Sequence, residues 1–157
     1  MATPEKGETL FINAHGSFVV VDSGSVKLII DIIEDLIRSA DDAFKAGHHL
    51  EASMIIFQYV EYYLRLIIDC FAKKNGSLGD TIESLKEVRF RSLVTFVDLI
   101  KPGTGISGRL FGLNKKRNRF VHHIFEYKST ESLNSELKRF YVEGLEIIES
   151  LKSFQSN

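Results

Sequence analysis

From Ser25 onward the apolar residues Val26, Ile29, Ile30, Ile33, Leu36, Ile37, Ala40, Ala43 and Phe44 recur at spacings of three and four. That is the period at which side chains share one face of an α-helix. Gly24 and Ser25 precede the run and Gly47 follows it, so the pattern predicts a helix packed on one side. The next segment, HLEASMIIFQYVEYYLRLIIDCFAKKNG, is apolar around most of its circumference. It predicts a central helix covered on several sides and ended at Asn75-Gly76. Within it Glu61 precedes Arg65 by four residues, the spacing of a helical ion pair, and a structural pair is expected there rather than a catalytic carboxylate. SLGDTIESLKEVRFRSLVTFVDLIKPG predicts one short and one longer helix ending at Pro102-Gly103. GTGISG reads as a flexible connection, because it lacks the Lys-Ser/Thr ending of a phosphate-binding loop and follows a helix, not a strand. A helix over 107–127 comes next. A last amphipathic helix then carries Leu133, Leu137, Phe140, Tyr141, Ile148 and Leu151, with Ser129 or Thr130 as its cap. The sum is an all-α fold, an antiparallel bundle of four to five helices.

Ahead of Ser25 the texture differs. Two short β-prone runs, Thr9 to Asn13 and Ser17 to Asp22, flank Ala14-His15-Gly16, the pattern of a small β-hairpin or of an irregular arm. The chain therefore divides into an N-terminal arm or hairpin over 1–24 and a helical bundle over 25–157. At 157 residues and 44% apolar composition, one domain with a core is expected.

Charge changes the picture only locally. Lys and Arg number 20 against 21 Asp and Glu, which leaves no overall bias toward nucleic acid or membrane surfaces. Cys70 has no partner for an internal disulfide and reads as a small hydrophobe. No apolar stretch has the length of a membrane span and MATPEKGETLF is polar and acidic, so a cytoplasmic protein is expected. Between Leu99 and Phe125, however, lie six basic residues, Lys101, Arg109, Lys115, Lys116, Arg117 and Arg119, and no acidic one. Solvated helix faces usually mix signs, so this stripe points to a phosphate ligand, with an acidic protein partner as the alternative.

The stripe culminates in KKRNRFVHHIF, Lys115 to Phe125. At about 100° per residue, Asn118 and His122 share a face, as do Arg119 and His123, while Arg117 and His122 stand about 140° apart. One helix cannot aim Arg117 and His122 at the same atom. A second helix, or the same segment from a second chain, can close the gap. Asn118 is placed to hold a ring nitrogen of His122. The plainer alternative is a pair of half-exposed histidines on a basic helix whose Phe120, Val121 and Ile124 face the core. Neither a metal site nor a serine or cysteine nucleophile is expected from these spacings.

RNRFVH, Arg117 to His122, resembles the Arg-x4-6-His signature of the HEPN superfamily, small all-α domains in which a polar residue, often Asn, follows the Arg. EASMIIFQYVEYYLRLII resembles that family's second helix, with Ala52 near its start and Glu61 midway, and the helix order is similar from about Ser25 to Phe154. The resemblance implies a metal-independent ribonuclease, with no cofactor, working as a homodimer on RNA. His122 would then act as general base or acid at the ribose 2′-hydroxyl. Arg117 would stabilise charge on the scissile phosphate, and Asn118 would support the geometry. Lys115, Lys116, Arg119 and His123 would hold RNA alongside.

Two departures from that pattern stand out. HepT-type toxins of the superfamily show His-x-Tyr after the motif, where this chain has Ile124, which puts control by a nucleotidylating antitoxin in doubt. The spacing Arg117 to His123 also satisfies the signature, so the register stays open, with His122 preferred because Asn118 stands one turn below it. SLGDTIESLKEV followed by the motif helix also resembles the mannitol operon repressor family. That likeness implies a noncatalytic helical module binding RNA or a regulatory protein.

Overall fold

The computed structural model describes residues 9–10, 20–21, 35–76 and 84–154. Among them five helices follow in order. They are α1 over 35–45, α2 His49–Lys74, α3 Phe90–Ile100, α4 Ile106–His122 and α5 Thr130–Ser153, with a 3-10 turn Ile124–Glu126 before the last. The helical bundle expected from the periodicity is the fold. Ahead of it β1 (Thr9–Leu10) and β2 (Val20–Val21) pair antiparallel, Thr9 opposite Val21 and Leu10 opposite Val20. This short ladder falls inside the two β-prone runs. The rest of those runs, the expected helix start over 25–34 and most of the expected short helix after Gly76 lie outside the described residues.

The all-round apolarity of α2 has a direct structural counterpart. Ala52, Ile56, Val60 and Leu64, one turn apart, are fully buried, and Phe57, Tyr59, Tyr63 and Ile67 are buried as well. A row of rings joins four helices across this core. Phe90 of α3 meets Phe57 of α2 at 4.8 Å between centroids, Phe57 meets Phe140 of α5 at 6.5 Å, and Phe140 meets Phe120 of α4 edge-on at 5.3 Å. Where α2 crosses α5, Gly144 lies against Ile56, and a Cβ there would stand 2.3 Å from the Ile56 Cγ2 methyl. A missing side chain thus sets the approach of the two helices. Beside it the buried Ser53 hydroxyl donates to the Leu137 carbonyl at 3.2 Å, so its burial leaves no unmet donor.

From Ser53–Leu137 to Phe57–Phe140 the contacts advance together along both helices, so α2 and α5 lie side by side in the same direction. The polypeptide achieves this by coming back along α2 before α3. Arg65, bound to Glu61 at 2.9 Å as its spacing predicts, also donates from Nε to the Leu85 carbonyl at 3.1 Å and ties the returning segment down. Between α3 and α4 the chain reverses over Lys101–Gly105, where Gly103 and Gly105 have φ of 78° and 69°, values that disfavour a side chain. The Thr104 hydroxyl donates to the Lys101 carbonyl at 3.3 Å. GTGISG is therefore a tight turn and the first residues of α4 rather than a loose tether. At the start of α5 the Ser129 hydroxyl accepts from the Ser132 N–H at 3.1 Å, the expected cap. No described helix is long and apolar enough to cross a membrane.

Candidate functional site

The site is built on α4 and the turn after it. Ile106, Leu110, Leu113 and Phe120 bury one face of α4 in the core and so fix its rotation. The helix ends at His122, five residues earlier than its periodicity suggests. Phe120 is its last buried anchor, and Val121, expected to face the core, is exposed along with His122 and His123. Without core contacts the last turn has nothing to hold it, and His123 leaves helical geometry. Tyr127 resumes packing by stacking on Phe120 at 6.1 Å between centroids.

Arg117 leans from α4 toward α2. Its Cζ stands 5.4 Å from the centre of the Phe57 ring, and its Nη1 donates to Asn118 Oδ1 at 3.0 Å. Its Nε is buried without a hydrogen-bond partner. Leaving such a donor unmet costs about 1–3 kcal/mol. Asn118 thus gives its carbonyl to Arg117, and no hydrogen bond joins it to His122 among the described residues. Arg117 and His122 likewise share no hydrogen bond; the first is half-buried, the second exposed at the helix end. His123 Nδ1 lies 2.7 Å from Glu126 Oε1, inside the 3-10 turn.

The one-signed basic stripe proves to be half neutralised. Arg109 meets Glu146 at 3.2 Å and Ser150 at 3.1 Å, Lys116 meets Glu143, and Arg119 meets Glu136 at 3.4 Å. Each partner sits on α5, which runs antiparallel to α4, so a ladder of ion pairs zips the two helices. Arg119 also lies over the Tyr127 ring at 4.7 Å, and Tyr127 donates to Glu136 at 2.9 Å. Desolvation, and then the Glu136 carboxylate, push the Tyr127 hydroxyl up to about 12, so it stays a donor. Among the described residues Lys115 is exposed with no ion pair, and Arg117 meets no carboxylate.

Of the expected site residues, then, Arg117 and Asn118 come together, Lys115 and His122 face solvent, and Lys116, Arg119 and His123 are held by carboxylates. The residues that the motif did not reveal are Phe57, which supports Arg117, and Glu136, Glu143 and Glu146, which claim its neighbours. Their signal was present as acidic positions on the last helix in mirror order to the bases on α4. No group of three or more His, Cys, Asp or Glu side chains among the described residues is placed to hold a metal ion. Cys70 is half-buried, and burial raises its thiol to about 11, so little thiolate forms near neutral pH. Comparison with family models, curated proteins and solved structures finds no match to this chain.

Proposed function

We propose that this helical bundle is a HEPN-like, metal-independent endoribonuclease of toxin or defence type, its site completed when two copies bring their α4 helices together. The observation that carries the reading is the state of Arg117. It is braced by Phe57 and Asn118, it meets no carboxylate among the described residues, and it keeps a buried Nε–H unmet. A planar cation held this way is suited to the oxygens of a phosphodiester. His122 is exposed and carries no hydrogen bond among the described residues, which leaves a ring nitrogen open to a 2′-hydroxyl. Lys115 supplies a further exposed charge for a flanking phosphate. The 140° between Arg117 and His122 along one helix makes a second copy part of the site.

A second reading has its own support. The pairing of Arg109, Lys116 and Arg119 to α5 removes much of the basic surface that RNA would meet, which favours the protein-binding form of the noncatalytic module. Incubation with mixed cellular RNA in EDTA separates the two. The enzyme cleaves, leaves 2′,3′-cyclic phosphate ends and spares DNA, and Arg117→Ala and His122→Ala each lower the rate about 10²-fold or more. Intact RNA under all conditions, together with unimpaired growth of cells expressing the protein, would leave the module.

A further inference from the structure

Phe125 is 98% exposed, more than any other large apolar side chain described, of which the next, Leu99, is 73% exposed. Exposure of this degree gives the ring no part in the core. Yet the backbone that carries it is not loose. Phe125 is the middle residue of the 3-10 turn Ile124–Glu126, closed by Glu126 N–H to the His123 carbonyl at 3.0 Å and Tyr127 N–H to the Ile124 carbonyl at 3.4 Å. On one side His123 and Glu126 clasp at 2.7 Å. On the other Tyr127 is held by Phe120, Arg119 and Glu136. The turn is therefore fixed at both ends while its central ring stands in water, three residues past His122. Around it His122, His123, Glu126 and Lys128 are exposed and polar, Ile124 and Tyr127 are half-buried, and Val121, 45% exposed, is the other open apolar side chain on this stretch.

A rigidly presented ring among polar and basic groups has the form of a stacking platform for an unpaired base, since every nucleobase offers a π-face. We propose that Phe125 stacks on a base of single-stranded RNA beside the phosphate that Arg117 and His122 engage. This deepens the ribonuclease reading and rests on it for the identity of the ligand. It also assigns the substrate class, because a base inside a duplex is stacked on its neighbours and offers no free face.

The chain contains no tryptophan, so Phe125→Trp places the sole indole at this position. Titration with single-stranded oligoribonucleotides, followed by anisotropy of a label on the RNA, gives affinity; indole emission reports stacking. The proposal expects Phe125→Trp to bind like the parent with its emission quenched. It expects Phe125→Ala, with an unchanged circular dichroism spectrum, to bind about tenfold more weakly, and a duplex of the same sequence to bind less than the single strand. Equal binding by Phe125→Ala with unquenched Phe125→Trp at saturation would overturn it. So would absence of any binding by the parent at low salt, or loss of self-association in Phe125→Ala with RNA affinity intact, which would make the ring a contact between copies. Failure of the ribonuclease reading looks different: RNA binds and quenches but is never cut.

Discussion

At the scale of single residues, Arg117 differs from Lys116 and Arg119 in meeting no carboxylate among the described residues, and from the equally unpaired but exposed Lys115 in being braced by Phe57 and Asn118. Lys116 and Arg119, its flanking cations, are each spent on α5, and an exposed or half-exposed pair of this kind is worth only about 0–1 kcal/mol of stability. Such pairs can therefore be opened without endangering the fold. Replacing Glu143 by Gln should free Lys116, strengthen RNA binding severalfold at low salt and steepen the salt dependence by about one counterion, with little change in melting temperature. Anisotropy titrations at several salt concentrations measure this. Unchanged affinity and slope would mean that RNA does not reach this part of α4. The sequence displayed Arg117, Asn118 and His122 as a motif, yet it gave no sign that Asn118 serves the arginine. Spacing of four put Asn118 below His122, whereas the half-buried guanidinium next to it was the nearer donor for its carbonyl.

Among the elements, the helices were legible because their periodicity is what buries them. Of the apolar positions that the pattern named on α5, Leu137, Phe140, Tyr141, Ile148 and Leu151 are buried and Leu133 is half-buried, and Ser129 caps α5 as its chemistry requires. The misjudged end of α4 has the opposite cause. Val121 and Ile124 extend the apolar period, but Val121 is exposed and no described element covers it, so the pattern overran the helix. The basic stripe misled for a related reason. Counting charge along one segment cannot see the facing helix, and the neutralising glutamates lie 17 to 37 residues away in the chain. Gly144 carried no pattern signal either, although it sets the contact of α2 with α5. Gly144→Ala should lower stability by about 1–3 kcal/mol in chemical denaturation, because the fully buried, β-branched Ile56 has little freedom to yield. A neutral or stabilising effect, as helix propensity alone would give, would show that the two helices can move apart freely.

For the whole molecule, the proposed function needs a second copy, because Arg117 and His122 share no hydrogen bond and stand about 140° apart on one helix. Arg117 is aimed across α2, His122 stands free at the end of α4, and Phe125 projects beyond it. Under the proposed function two chains act as one unit. The most direct test mixes two damaged chains. Arg117→Ala and His122→Ala variants, each carrying a different tag, are coexpressed and the doubly tagged dimers isolated and assayed on RNA in EDTA. A site shared between copies predicts that each variant alone is inactive and that the mixed dimer, which retains one intact Arg117 and one intact His122, cuts RNA again. A mixed dimer that forms and stays inactive, or a parent protein that sediments as a monomer while fully active, would contradict the shared site.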